Sequence, residues 1–476
     1  MFSALSVRRR SSARLAAALV ATGFVAAVAL AAAGPAVAAE TPQHQGGAVA
    51  TLDGLTTYDR AVVRAGGQEH QIPAGLFEMT VDGGGKLKTY CIDIHRPTQE
   101  QAKYLESSWD QTSLGSNRDA GKIRWILDHS YPQVDDLSAL AKKAGVASLT
   151  EQTAAAGTQV AIWRYSDHVE VDALDPSAEK LADFLERGAR GGSEPRASLT
   201  LEPNAVSGKP GEKIGPVKVR TGAGRVTVAP PADAAGDGVK VVGKNGKPLT
   251  TVVNGSELYF DVPADAADGS TSLTVQATTS VPVGRTFAGA TRSQTQILAG
   301  SSVSTVSATA TATWAEKGAI PALTARKNCA RSGVDITAAN QGDEPYVFTL
   351  MGSKHTVGAG QSRTITIPVQ EDQAYDFTIE GPGGFGKNFK GVLDCKTSGA
   401  VGTDTMDQPE NRPSPATGGD IPVGGEGGTG GDGLDLADTG SSNATPMIAG
   451  VAIGFVVIGG AAVFLLRNKQ TDRTED

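Results

Sequence analysis

The chain has 476 residues and a formal net charge of −8, from 43 Lys and Arg against 51 Asp and Glu. That balance argues against a nucleic-acid partner, because phosphate binding needs a basic surface. With 3 Cys and 6 His there are too few ligands for a tetrahedral zinc centre without carboxylates, and no P-loop or dinucleotide fingerprint occurs. No metal and no cofactor are therefore expected.

In chain order, Arg8, Arg9, Arg10 and Arg14 precede an almost wholly apolar stretch over 15–33 and the small residues Ala36, Val37, Ala38 and Ala39. A basic head, an apolar middle and a small-residue cleavage site make residues 1–39 a secretory signal peptide, left out of the fold. Residues 40–188 read as an α+β domain. Ile123, Ile126 and Leu127 stand at helical spacing within Ala120–His129. Ser148 and Glu151 read as a capping box ahead of a helix running to about Ser166. Asp175-Pro176 starts another helix, with Leu181, Phe184 and Leu185 as its apolar stripe and Gly188 near its end. The run from Ala74 to Val81 is strand-like.

Residues 189–196 break the pattern and read as a linker. Residues 197–316 read as a β-sandwich-like domain, with strand runs at 217–219, 225–228, 258–262 and 273–275 and hairpin signals at Asn245-Gly246 and Asn254-Gly255. Residues 317–398 form a smaller β domain whose clearest strands are 346–350, 364–367 and 375–379. Residues 399–435 are rich in Gly, Pro, Thr and Asp and too poor in apolar residues to fold. A flexible tether of that length spans roughly 30–35 Å.

The C-terminal segment 436–476 contains an uncharged apolar run over 447–466, then Arg467 and Lys469. At about 1.5 Å per residue the run is roughly 30 Å long, the thickness of a hydrocarbon core, and it reads as a transmembrane helix with its basic end inside. Just before it stand Leu436, Ala437, Asp438, Thr439 and Gly440. The pentapeptide, polar spacer, apolar span and basic tail together resemble a sortase substrate of Gram-positive bacteria. The resemblance implies cleavage between Thr439 and Gly440 by a sortase, attachment of Thr439 to peptidoglycan or its precursor, and a place on the cell wall.

The cysteines divide into two groups. Cys329 and Cys395 bracket the small third domain, and in an oxidising compartment they are expected to pair. That bridge closes a loop of about 66 residues and stabilises by roughly 4 kcal/mol in the chain-entropy model. Cys91 is left over. Gln159 is a second oddity: it falls on the same helical face as Ile162 and Trp163, where a buried amide without partners costs about 1–3 kcal/mol.

Tyr90-Cys91-Ile92 and Thr158-Gln159-Val160-Ala161-Ile162-Trp163, in that order, resemble the two signatures of the thioester domains of Gram-positive surface adhesins. The helix before Ser130-Tyr131-Pro132 fits the same pattern, and the resemblance covers roughly residues 50–188. Residues 281–287 loosely resemble the β domain that follows it in related actinomycete proteins. The implied chemistry is attack of the Cys91 thiolate on the Gln159 side-chain carbonyl, with loss of ammonia. The product is an internal thioester that an amine on a target protein or surface would open, leaving an isopeptide at Gln159. That is single-use adhesion chemistry, without turnover. Asp93, His95, Asp167 and His168 flank the two motifs. Two other readings are open at this stage. Cys91 with His95, His129 or His168 would make a cysteine hydrolase or transglutaminase, and an inert Cys91 would leave a structural surface stalk. No Lys–Asn isopeptide triad is evident in the β domains.

Overall fold

A computed structural model describes residues 46–229 and 238–396. The expected signal peptide 1–39, the expected linker 399–435, the expected sorting motif at Leu436–Gly440 and the apolar span 447–466 lie outside the described residues. Among the described residues no helix is long and apolar enough to cross a membrane.

The first domain begins with two long strands, β1 (Val49–Ala65) and β2 (Gln68–Val81), paired along almost their whole length, then β3 (Lys86–Cys91) and β4 (Lys103–Ser107). Four helices follow around a short strand: α1 (Ala120–His129), α2 (Leu137–Ala144), α3 (Glu151–Ser166), β5 (Glu170–Ala173) and α4 (Pro176–Gly188). The expected helix α1 is present. Helix α4 starts as expected, with the Asp175 carboxylate accepting the N–H groups of Ser177 and Ala178 and Pro176 in the first turn. Helix α3 is capped two residues later than the Ser148–Glu151 reading. Thr150 accepts the Thr153 N–H while the Thr153 hydroxyl accepts from the Thr150 N–H, because Thr150 is the residue left extended before the helix begins. Helix α2 is not among the expected elements; only Leu140 and Ala141 of its eight residues are buried, too few for a periodicity to register.

The chain continues with β6 (Leu199–Glu202), β7 (Ala205–Gly208), β8 (Lys213–Thr221), β9 (Val226–Val228), β10 (Lys240–Val242), β11 (Thr251–Val252), β12 (Glu257–Asp261), β13 (Gly269–Ser280), β14 (Thr286–Gly289), β15 (Gln296–Ser301) and β16 (Val303–Trp314), of which all but β14 and β15 build the second domain. Two sheets face each other, in orders β10-β12-β8-β6 and β11-β9-β13-β16-β7, and Leu201, Val217, Val219, Val226, Phe260, Val275 and Ala310 fill the space between. Asn245-Gly246 makes a local reversal, with an isolated bridge from Val242 to Pro248. Asn254-Gly255 does not close a hairpin as expected. It carries the chain from β11 in one sheet to β12 in the other.

The sequence boundary between the first two domains needs one correction. Strands β14 and β15, assigned to the sandwich, belong to the sheet of the first domain. Its order is β2-β3-β15-β14-β4-β1-β5, and because β2 also pairs with β1 the sheet closes on itself. The chain thus leaves the sandwich after β13, completes the ring with one hairpin, and returns as β16. The physical reason is edge pairing: without the hairpin, β3 and β4 would each present an open edge. One face of the ring, with Met79, Leu87, Tyr104, Phe287 and Leu298, joins the core of the sandwich. The other, with Leu76, Tyr90, Cys91, Ile297 and Ala299, packs under the helices. Nor is 189–196 a free linker: Glu194 pairs with Arg285, whose guanidinium Nε also donates to Glu106 at 3.0 Å, both groups being almost wholly buried. Glu106 further accepts the N–H groups of Ala48 (3.0 Å) and Ser198 (2.9 Å), so one carboxylate ties β4, the start of β1, the sandwich and the hairpin together.

The third domain pairs β17 (Pro321–Asn328), β18 (Gly333–Asn340) and, after β19 (Tyr346–Leu350) and β20 (Ser353–Val357), β21 (Gln361–Pro368). β22 (Ala374–Glu380) and β23 (Gly386–Val392) form a final hairpin. The Cys329–Cys395 disulfide closes the domain around a core of Leu323, Ile336, Tyr346, Ile379 and Phe389.

Candidate functional site

Cys91 ends β3, where register places it opposite Gln296 of β15. Helix α3 crosses the outer face of β1, β2 and β3. Every residue of α3 from Ala154 to Trp163 is buried, so the helix has no solvent face at Gln159, and an apolar stripe is too narrow a description of it. Small residues permit this burial. At Gly157 a side-chain carbon would lie 2.4 Å from the Ala178 carbonyl oxygen of α4.

Buried without solvent contact, Gln159 meets Cys91 directly. Its Oε1 accepts the Cys91 N–H at 2.9 Å, and its Nε2 donates to the Cys91 carbonyl at 2.8 Å. The amide is thus satisfied by the backbone of the one residue whose side chain is a nucleophile. The surroundings are rigidly held: the Tyr90 hydroxyl donates to the Tyr131 carbonyl at 2.8 Å, and the Thr158 hydroxyl bonds back to Ala154. The Asp93 N–H donates to Cys91 Sγ at 3.2 Å. One turn beyond Gln159, the buried Trp163 indole N–H has no full hydrogen-bond acceptor, yet it lies close enough to the sulfur to favour the thiolate.

Burial pushes the Cys91 thiol well above its ordinary value, and the charge of Asp167 acts the same way. Burial also raises Asp93, to about 6, with Asp394 adding to the effect and Arg96 opposing it. Asp167 is raised to about 7 by burial, against hydrogen bonds from the Ser166 hydroxyl and the Ile94 N–H. Asp93 pairs with Arg96 at 3.1 Å, whereas Asp167 pairs with no cation among the described residues.

The three histidines considered as partners for Cys91 stand elsewhere. His95 and His168 are exposed, and His129 stacks on Trp125 with Nδ1 2.8 Å from the Trp125 carbonyl. None hydrogen-bonds to Cys91. Glu371, Asp372 and Asp394 bring carboxylate oxygens within 4.8 Å of one another, but Arg96 reaches into the cluster and pairs with Asp372 and Asp394. That contact sets the third domain against the loop that follows Cys91, and the Thr295 hydroxyl, donating to Asp394 at 3.0 Å, reinforces it.

The sequence reading missed the polar strip Ser293-Gln294-Thr295-Gln296, all buried beside Cys91. Gln294 Nε2 donates to the Asp93 carbonyl at 2.8 Å, and Gln296 Oε1 accepts from Thr89 at 3.1 Å. An unbroken polar run from Thr291 to Gln296 before the apolar Ile297-Leu298-Ala299 is the only local sign of it.

The family described as Thioester domain matches residues 88–190, which include both Cys91 and Gln159. The family described as Bacterial phospholipase C, C-terminal domain matches residues 321–392, within the third domain. No curated protein matches. Among solved structures, the chain is similar to the Bacillus anthracis TIE protein at 14% identity, over 74% of this chain and 81% of that one, with a TM-score of 0.27. It is similar to the thioester domain of the Enterococcus faecium TIE86 protein at 16% identity, over 56% of this chain and 97% of that one, also with a TM-score of 0.27. Neither superposition is close enough to carry an argument. The family match supports a thioester-domain protein, and its other described parts are β-rich.

Proposed function

We propose that Cys91 and Gln159 form an internal thioester, and that the protein uses it once, from the cell wall, to capture an amine on a target protein or surface. The observation that carries this reading is the pair of reciprocal hydrogen bonds between the Gln159 amide and the Cys91 backbone, inside the segment that the thioester-domain family matches. Two groups fixed in that relation gain up to about 7–11 kcal/mol over free reactants. Both residues are buried, which limits the access of bulk water and slows hydrolysis of an electrophile. The hydrolase alternative finds no support in His95, His129 or His168, none of which hydrogen-bonds to Cys91.

Methylamine tests the capture. It is expected to add at Gln159 and release the Cys91 thiol, and peptide mapping would locate both. Cys91→Ala and Gln159→Ala should each abolish the adduct. An adduct that persists in either variant contradicts the reading. The wall anchor rests on the sequence from Leu436 to Gly440, with sortase and peptidoglycan as the partners it implies. In a Gram-positive host, Thr439→Ala is expected to move the protein from the wall fraction to the membrane or the medium. Equal wall yield would contradict anchoring there.

A further inference from the structure

Helix α3 carries Gln159 and Trp163 one turn apart, and Asp167, its C-cap residue, stands one turn further on with its N–H bonded to the Trp163 carbonyl; Gln159 meets Cys91 and Asp167 meets the loop after it. The first is the acyl group of the proposed thioester and the second a buried N–H beside the sulfur. The third has no role in that reading. Its carboxyl is 4% exposed and has only neutral donors, the Ile94 N–H at 3.0 Å and the Ser166 hydroxyl at 2.6 Å. A buried carboxylate without a cation is costly, and a merely structural acceptor would serve as well as an amide.

We propose that Asp167 is the proton relay of the Cys91–Gln159 chemistry, a role that rests on the thioester reading. In aminolysis the nitrogen of the incoming amine bonds to Gln159 Cδ. The C–S bond then breaks and its electron pair stays on Cys91 Sγ. The proton shed by the nitrogen passes to the Asp167 carboxylate, directly or across one water, and from there to the thiolate. Amine and thioester become amide and thiol. In thioester formation the same carboxylate takes the proton of the Cys91 thiol and hands it to the Gln159 nitrogen, which leaves as ammonia. The Asp93 N–H and the Trp163 indole N–H stabilise the sulfur while it is charged.

The neighbours fit the role. Asp93 faces Asp167 and repels its charge, and the Cys91 thiol is the other titrating group it influences. Arg96, on the same loop, is committed to Asp93, Asp372 and Asp394. His168, next in sequence, is exposed. Asp167 therefore exchanges its proton close to neutrality, at about 7, where a relay works best.

The test times methylamine capture by the full mature chain, by mass, on both sides of about pH 7, with rates expressed per free amine. Wild type should show a rate that rises as Asp167 ionises. Asp167→Asn keeps an oxygen for the Ile94 N–H and should slow capture by about 10²-fold or more with a flattened profile, and Asp167→Glu should restore part of the rate. Ser166→Ala removes a donor that favours the carboxylate and should move the inflection to higher pH. If Asp167→Asn does not fold, Ser166→Ala decides. A folded Asp167→Asn protein with the wild-type rate, or a Ser166→Ala profile that does not move, overturns the relay. A wild-type chain that captures no methylamine overturns the thioester reading beneath it.

Discussion

Cys91 and Gln159 stand out in the sequence because each is an unusual residue for its setting: a thiol left over beside a cysteine pair, and an amide among apolar neighbours. Both are fully buried and hydrogen-bonded to each other. Gln296 could not be singled out in the same way. Its place opposite Cys91 is set by strand register between segments far apart in the chain, which no local pattern encodes. The burial that raises the Cys91 thiol has a measurable consequence. At any given pH a raised value means less thiolate, and the thiolate is the nucleophile. In the Gln159→Ala variant, which has no acyl partner, native Cys91 should react with iodoacetamide at least about tenfold more slowly than after denaturation in the same buffer. Equal rates would show an open, ordinary thiol.

At the scale of elements, the helices were legible where their ends carry strong signals. Asp175-Pro176 marks the start of α4 by itself, whereas α3 has Ser148 and Thr150 in competition, and only the fold selects between them. The hairpin of β14 and β15 was not among the expected strands, and its place in the first domain was not legible either, because strand patterns state a period and not a partner. Arg285 and Glu106 hold that hairpin in place. Removing one partner of a buried pair leaves an uncompensated charge, so Arg285→Ala should lower stability by about 3–5 kcal/mol in denaturant unfolding. A change below about 1 kcal/mol would mean that the hairpin is held by other contacts.

For the whole molecule, the consequence is that the first domain is not a contiguous piece of chain. A fragment ending at residue 190 lacks β14 and β15 and leaves β3 and β4 with open edges, so it should be unfolded or aggregated by circular dichroism and gel filtration. A fragment ending at residue 316 contains the complete ring and should fold. Equal folding of both would refute the closed arrangement. The third domain docks on Arg96, so the surface around the Cys91 loop also draws on residues from the far end of the described chain. The central claim, that Cys91 and Gln159 are covalently joined, is tested most directly by the intact mass of the untreated protein, followed by peptide mapping. The account predicts a deficit of one ammonia beyond the mass change of the Cys329–Cys395 disulfide, localised to a cross-linked pair of peptides containing Cys91 and Gln159. A chain at its full calculated mass, with Cys91 recovered as a free thiol and Gln159 as an unmodified amide, would contradict it.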